Sequence, residues 1–281
     1  MIKKIAIGCA NVGSDYGIAS KKIKFKEINK IFKFCNQKQI KCFDTADTYT
    51  NSYKILKKNN YNIEVDTKIL VNNKWLNYHF CEKHLIQINK KIGEKKINTL
   101  YIHNPKFLLN KNSNKIIDNL KKLKKKYYKK LGISIYDFKN FYNNFKKFKF
   151  DVVQCPFNIF DQRLINDEQL KKLKKLKLKI HVRSIFLQGL LIDIKFKDKI
   201  KFKRYKKLLD NYFSYLDLLN IKPLDLCLNF VFKYKYIDKI IVGINSKKQL
   251  EDILNFKQIR FKNYDLFNYS HKKQLIDPRR W

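Results

Sequence analysis

The sequence lacks any long apolar run. No stretch of about 18 consecutive apolar residues occurs in its 281 residues, so we expect no membrane-spanning helix. Near the N-terminus the apolar segment Ile5 to Ile7 is far shorter than the roughly 7–15 residues of a secretory signal. The six cysteines include no C-x-x-C pair, which favours buried free thiols in a reducing cytosol over disulfides or a metal site. Together these absences predict a cytoplasmic protein.

Arginine and acidic residues are also scarce, although the chain is strongly basic. Lysine and arginine total 63 against 24 acidic residues, giving a formal net charge of +39, but only six of the 63 are arginine. Nucleic-acid sites favour arginine forks and clustered patches, whereas these lysines are spread over nearly every segment. We therefore expect solvated helix faces rather than a specific nucleic-acid site. The charge would still help to attract an anionic substrate or cofactor.

Eight short apolar segments, each followed by a segment of helical periodicity, predict a parallel sheet. The predicted strands are 4–10, 40–44, 62–68, 98–103, 130–134, 151–156, 179–184 and 238–243. The predicted helices are 26–36, 52–58, 79–92, one from 113, 138–148, 167–176, 202–219, 223–236 and one opened by a capping box at 246–249. Eight such units close a (β/α)₈ TIM barrel. An open doubly wound sheet would require a G-x-G-x-x-G turn after the first strand, which is absent. We expect one domain over 1–281, with 261–281 as a tail.

Four polar residues stand at or just beyond the ends of successive predicted strands. Asp44 and Tyr49 follow the second strand, Lys68 ends the third and His103 ends the fourth. Each of them alone is more often a loop or capping residue. Their joint placement at the carboxyl-terminal rim of a barrel, where barrel enzymes have their active sites, predicts an active site.

The chemistry of these four residues fits proton transfer to a carbonyl oxygen. A free phenol titrates near pH 10, so Tyr49 would need a neighbouring ammonium, Lys68, to lower its pKa. Asp44 would hold that lysine charged and in place. His103 could orient the carbonyl oxygen by a hydrogen bond. The set suits proton addition while a hydride reaches the carbonyl carbon.

These residues lie in motifs that resemble those of the aldo/keto reductases. Phe43-Asp44-Thr45-Ala46-Asp47-Thr48-Tyr49 resembles the D-T-A-x-x-Y signature, and Thr67-Lys68 and Leu100-Tyr101-Ile102-His103 resemble the ends of strands three and four. Further similar stretches run along the whole chain: 7–17, 131–134, 153–158, 183–190 and 241–243. The first and the fourth of these stretches are most similar to a branch associated with surface-polysaccharide biosynthesis.

The resemblance implies a role for each site residue and a nicotinamide cofactor. Tyr49 would be the general acid, with Lys68 and Asp44 tuning it and His103 orienting a small-molecule carbonyl substrate. NADPH is the implied cofactor, with NADH as the alternative. Its carboxamide would be held by Ser134 and Gln154, its pyrophosphate by Ser184 and Leu187, and its adenosine end by Gly243, Asn245, Ser246, Lys247 and Gln249. No metal site is implied.

The sequence also departs from the family pattern at several positions. Thr50 and Tyr53 replace the usual glycine and glutamate after the tyrosine, and Ile135 replaces an asparagine that would bind the carboxamide. Ile253 stands where an asparagine is frequent near the adenosine end, and Lys247 or Lys248 would have to serve a ribose 2′-phosphate.

The sequence therefore predicts an NADPH-dependent reductase of an aldehyde or ketone, with a sugar-derived carbonyl as the expected substrate. Two alternatives remain open. The first is a nucleotide-binding barrel with little turnover that acts as a sensor or binds a partner. The second is a basic protein that adheres to nucleic acid or to a membrane surface.

Overall fold

Eight parallel strands form a closed barrel in which each strand pairs with the next along the chain and β8 pairs with β1. The computed structural model describes residues 1–12, 17–18, 23–49, 51–93, 95–136, 138 and 142–281. Within these residues the strands are β1 Ile5–Gly8, β2 Cys42–Asp44, β3 Glu64–Ile69, β4 Lys96–Ile102, β5 Tyr128–Ser134, β6 Val152–Pro156, β7 Lys179–Arg183 and β8 Lys239–Gly243. The predicted (β/α)₈ barrel is confirmed.

Helices occupy the connections between the strands, as parallel pairing requires. Within the described residues they are α1 Phe25–Gln37, α2 Ser52–Lys58, α3 Tyr78–Ile92, α4 Ser113–Leu123, α5 Tyr142–Phe148, α6 Gln169–Lys175, α7 Lys206–Leu218, α8 Pro223–Phe232, α9 Lys247–Leu254 and α10 Lys273–Ile276. The predicted helix over 202–219 begins later than expected, because Ile200–Tyr205 is a 3₁₀ helix. Of the predicted helix over 138–148, residues 139–141 lie outside the described residues.

The main hydrophobic core lies between the strands and the surrounding helices. In α1 the residues at helical spacing, Ile28, Ile31, Phe32 and Cys35, are all buried in this core. Inside the barrel, Ala6, Cys42 and Ile241 form a separate small apolar cluster. Branched apolar side chains, which usually fill the interior of such barrels, therefore make up only a small part of this interior.

Polar side chains fill much of the barrel interior. Tyr101 on β4 and His181 on β7 belong to strands that are not neighbours, so the 2.6 Å contact between the Tyr101 hydroxyl and His181 Nδ1 crosses the interior. Asp66 Oδ2 lies 3.6 Å from His181 Nδ1 and accepts a bond from the Cys42 thiol at 3.3 Å. Asn98 Nδ2 donates to Asp66 Oδ1 at 2.9 Å. We call Cys42, Asp66, Asn98, Tyr101 and His181 the interior network.

Because His181 belongs to the interior network, we expect the free energy of unfolding to decrease in mild acid. Burial lowers the pKa of His181 well below its usual range, and the nearby Lys239, Lys130 and Lys179 add to the effect. The folded protein therefore keeps His181 neutral, while the unfolded chain takes up a proton near pH 6.5. The contribution of His181 to the free energy of unfolding is therefore complete above about pH 6.5 and decreases as the pH falls below that value. At pH 5.5 the loss should reach about 1.4 kcal/mol.

Urea unfolding of the wild type and of His181→Gln at pH 7.5 and 5.5 measures this effect. The wild type should lose about 1.4 kcal/mol more than the variant over that interval, since glutamine does not titrate. Burial raises the pKa of Asp66, which acts in the opposite direction, but Asp66 is present in both proteins. An identical pH dependence in the two proteins would show that His181 does not carry the effect.

The last segment, residues 261–281, packs against the connections that follow β6 and β7. The Tyr269 N–H donates to the Phe160 carbonyl at 3.0 Å, and Trp281 packs edge-on against Phe202 at a centroid distance of 4.9 Å. Among the described helices, none has both the length and the apolar character that crossing a bilayer requires.

Candidate active site

The strand ends bring the four predicted catalytic residues to one rim of the barrel. Asp44 is the last residue of β2, Lys68 is the second-last of β3 and His103 directly follows β4. Tyr49 lies on the loop after β2, and the Asp47 N–H on that loop donates to the Lys68 carbonyl at 2.9 Å. This rim is the carboxyl-terminal face, where barrel enzymes bind their ligands.

Lys68 and Asp44 form a buried ion pair at this rim. Lys68 Nζ lies 2.5 Å from Asp44 Oδ2, and the two side chains are 2% and 6% exposed. A second N–H of Lys68 donates to the Thr45 carbonyl at 3.1 Å, and Gln154 Nε2 donates to the other Asp44 oxygen at 2.8 Å. Lys68 Nζ is also 5.8 Å from the centroid of the Tyr49 ring. The two charges are thus paired and held by further hydrogen bonds, as buried charges must be.

The phenol of Tyr49 keeps its proton at neutral pH. Burial raises its pKa above the ordinary value, the Asp44 carboxylate raises it further, and the Arg183 guanidinium opposes that rise. The predicted lowering of this pKa by Lys68 does not prevail in the structure, because Asp44 lies 2.5 Å from the ammonium and offsets part of its charge while burial raises the pKa. A protonated phenol is the form that a general acid needs before it donates.

His103 is neutral at pH 7. Burial lowers its pKa to about 4, and the charges of Lys68 and Arg183 contribute to that lowering. Its Nδ1 atom is buried and has no hydrogen-bond partner within the described residues. A neutral imidazole offers one donor and one acceptor, so the ring can bond to a group bound beside it.

A cleft of about 350 Å³ opens at this rim and is lined by Asp44, Tyr49, Lys68 and His103. The ends of β7 and β8 and the loops after β1, β5, β7 and β8 supply the other walls, which include Asn11, Tyr136, Arg183, Phe196, Gly243 and Asn245. The cleft has the size of a small-molecule site.

Ser134 and Gln154, predicted to hold a carboxamide, lie side by side in register on β5 and β6. Gln154 is fully buried, and its Oε1 atom has no partner among the residues that the structure describes. A buried carbonyl oxygen without a donor is an acceptor for one N–H of an amide. Gln154 Oε1 therefore suits one N–H of a carboxamide, although neither Ser134 nor Gln154 lines the cleft as it stands.

The loop after β7 places its two predicted residues differently. Ser184 and Leu187 both have left-handed backbone, with φ of 58° and 47°. Ser184 lines the cleft, with its hydroxyl 3.4 Å from Arg183 Nη1. The side chain of Leu187 is fully buried in the hydrophobic core and does not line the cleft. The Leu187 side chain is therefore not placed to make the predicted contact with a pyrophosphate in the cleft.

The loop after β8 brings three of its five predicted residues to the cleft: Gly243, Asn245 and Gln249. A Cβ on Gly243 would meet no atom within 4 Å, so its backbone is open to a ligand. Ser246 instead caps α9, where its Oγ accepts from the Gln249 N–H at 3.2 Å. The Lys247 ammonium is paired with a carboxylate of the same helix at 2.9 Å. Ser246 and Lys247 therefore stabilise α9 and do not line the cleft.

Three of the positions that depart from the family pattern, Tyr53, Ile135 and Ile253, do not line the cleft. Tyr53 is buried, and its hydroxyl is 2.5 Å from the Thr67 hydroxyl. Ile135 and Ile253 are buried in the hydrophobic core. Thr50 lies outside the described residues, as do 13–16 of the loop after β1.

Sequence reasoning missed the cleft residues Asn11, Tyr136 and Arg183, and Arg279, which packs on Tyr136. The Arg183 guanidinium lies 4.0 Å from the centroid of the Tyr136 ring, and the Arg279 guanidinium lies 3.4 Å from the same centroid. Asn11 Nδ2 donates to Asn245 Oδ1 at 2.6 Å and joins the loops after β1 and β8. Arg183 ends β7 just as Asp44 ends β2, so the strand-end rule could have found it. Tyr136 and Arg279 carry no local signal, because their contact joins distant parts of the chain.

The chain belongs to the aldo/keto reductase family. The profile described as "Aldo/keto reductase family" matches residues 4–269, which covers nearly the whole barrel. This is a family of oxidoreductases that use NAD(P)H and act on small-molecule carbonyl groups. The predicted family and enzyme class are confirmed. No curated protein matches the sequence significantly.

Solved structures agree on the fold. A glycerol dehydrogenase from Gluconobacter oxydans is 15% identical, with a TM-score of 0.67, over 98% of this chain and 92% of that chain. A Pseudomonas aeruginosa protein assigned to the aldo-keto reductases is 15% identical, with a TM-score of 0.65, over 90% of this chain and 88% of that chain. At such identity these neighbours show a shared barrel.

Proposed function

We propose that the protein reduces an aldehyde or ketone to the alcohol with NADPH, and that Tyr49 is the general acid. One observation carries the proposal: a protonated phenol, a buried Lys68–Asp44 ion pair and a neutral His103 line one cleft at the carboxyl-terminal rim. NADPH, when bound, supplies the hydride. The chain supplies the proton and the orientation of the carbonyl group.

Each of the four residues has a task in this proposal. Tyr49 donates its proton to the carbonyl oxygen as negative charge develops there. Lys68 stabilises the phenolate that remains, and Asp44 keeps Lys68 in place. His103, being neutral, orients the carbonyl oxygen by hydrogen bonding without adding charge.

Two lysines in the first turn of α9 favour NADPH over NADH as the cofactor. Lys247 and Lys248 lie there and pair with Glu251 at 2.9 Å and Asp252 at 2.8 Å. Exposed pairs at this spacing contribute only about 0.3–0.5 kcal/mol, so a ribose 2′-phosphate could displace them. At the N-terminus of this helix the Lys247 N–H donates to the Glu27 carboxylate at 2.7 Å, so that end already accommodates an anion and a phosphate would take the place of Glu27.

The substrate class and the location are further parts of this proposal. A sugar-derived carbonyl is proposed on the sequence resemblance alone, to which the structural neighbours add nothing. A cytoplasmic location is proposed because all six cysteines are free and buried, as is usual in a reducing compartment.

The purified wild type tests the function. Incubated with NADPH and a panel of aldehydes and aldoses, it should oxidise the nucleotide over many turnovers, at about 1 s⁻¹ or faster with the best substrate. Loss of reduced-nicotinamide absorbance gives the rate, and NADH in parallel gives the preference. Tight stoichiometric binding of NADPH without turnover would instead favour a nucleotide-binding sensor.

A further inference from the structure

Lys68 lies between two aromatic rings. Its Nζ atom is 5.8 Å from the centroid of Tyr49, which lines the cleft, and 5.9 Å from the centroid of Tyr101, which is fully buried. Lys68 and Tyr101 are also paired in register on β3 and β4. An ammonium over an aromatic face is attracted to it, and more strongly when water is excluded. The Tyr101 ring therefore limits the position of the Lys68 ammonium on the side that faces the barrel interior.

The Tyr101 ring is itself held in one position. Its hydroxyl is 2.6 Å from His181 Nδ1, and His181 Nδ1 lies 3.6 Å from Asp66 Oδ2. On the neighbouring strand, a Cβ added to Gly132 would lie 2.5 Å and 2.7 Å from two ring atoms of Tyr101. The ring thus occupies space that only a glycine leaves open. Hydrogen bonding at one end and packing along one edge both restrict its movement.

We propose that Tyr101 is a positioning residue for Lys68, and that the interior network holds the Lys68 ammonium where Tyr49 needs it. The inference rests on the proposed function, since it assigns a role relative to the general acid. Tyr101 does not line the cleft and does not touch a substrate. It acts through Lys68.

The need for such a limit follows from the chemistry of lysine. Its ammonium is carried on a flexible four-carbon stem with three rotatable donors. Asp44 and the Thr45 carbonyl accept two of the three N–H groups, at 2.5 Å and 3.1 Å. The direction of the third depends on where the stem packs. The Tyr101 ring fills the space into which the stem could otherwise relax.

A purely structural role for Tyr101 makes a different prediction, and Tyr128 provides the matched control. Tyr128 is also buried, at 2% exposure, and its hydroxyl donates to the Leu120 carbonyl at 2.5 Å. It lies on β5 and has no part in the interior network. Tyr101→Phe and Tyr128→Phe each remove one buried hydroxyl and keep the ring. A structural role predicts that both lower stability and that neither changes turnover.

The experiment compares kcat, KM for NADPH and the pH profile of kcat in the wild type, Tyr101→Phe, Tyr101→Leu and Tyr128→Phe, with the best substrate from the aldehyde panel. We expect kcat to fall about 10-fold in Tyr101→Phe and about 100-fold in Tyr101→Leu, since small misplacements of catalytic groups cost this much. The alkaline limb of the pH profile of kcat should shift in both Tyr101→Phe and Tyr101→Leu. KM for NADPH should stay unchanged, and Tyr128→Phe should keep the wild-type kcat. Equal kcat in the two Tyr→Phe variants, whether wild-type or lowered, would overturn the proposal.

A spectroscopic measurement separates this inference from the proposed function. The protected Lys68 ammonium should give a ¹⁵N–¹H signal that Lys68→Arg identifies by its absence. That signal should shift in Tyr101→Phe and stay in place in Tyr128→Phe. If no substrate is turned over, the proposed function fails while this shift still tests the contact. A signal unmoved by Tyr101→Phe would contradict the inference even in an active enzyme.

Discussion

Replacing Tyr49 with phenylalanine is expected to lower kcat about 1,000-fold, within the range that a general acid contributes. Phenylalanine keeps a ring beside Lys68 but removes the proton that the phenol holds at neutral pH. The cleft keeps its shape, so the affinity for NADPH should not change. The rate of nucleotide oxidation with a fixed aldehyde, together with the cofactor Kd, measures both quantities.

Tyr53→Phe is the matched control for this prediction. Tyr53 lies four residues further along the chain, is 7% exposed and bonds through its hydroxyl to Thr67. Losing that bond should cost about 1 kcal/mol of stability and leave kcat unchanged. Turnover retained in Tyr49→Phe would mean that another group is the acid, with His103 as the next one to test.

Replacing Lys68 with methionine is expected to destabilise the protein by about 3–5 kcal/mol and to abolish turnover. The substitution preserves much of the volume of the side chain but leaves the Asp44 carboxylate buried without its counter-charge. The phenolate formed by Tyr49 would also lose a nearby cation. Urea unfolding at pH 7.5 measures the first effect, and the NADPH assay measures the second.

The double variant Asp44→Asn/Lys68→Met separates the two effects. Removing both charges should recover most of the lost stability, because no unpaired charge stays buried. Activity should remain absent, since the cation is still missing. Strictly additive losses of stability would show that Asp44 and Lys68 are not energetically coupled, despite the 2.5 Å between them.

The fold and the meeting of the four residues at one rim could be predicted because their signals are local. Most strands contain a short apolar segment, and the helices, as in α1, repeat apolar residues at helical spacing. Asp44, Lys68 and His103 stand at strand ends, and the carboxyl ends of parallel strands share one rim. Their meeting therefore follows from the number and direction of the strands alone.

Only some of the residues predicted to bind the cofactor line the cleft, because side-chain direction depends on the loop backbone. The left-handed residues after β7 leave Ser184 at the cleft and Leu187 in the core. Ser246 is a helix cap, as its motif had indicated, so its hydroxyl is already engaged. In such loops the residue type indicates chemistry, while the φ and ψ angles decide whether that chemistry faces the ligand.

The sequence by itself determined the barrel, the family and the four residues at its rim. Only the tertiary structure decided what lies beneath them. Asp66, Tyr101 and His181 each stand two residues before a residue of the rim, so alternation placed them on the same face of their strands. Barrel closure turned that face inward and brought β4 against β7 across the interior. Such a contact depends on all eight strands at once, and no local pattern reports it.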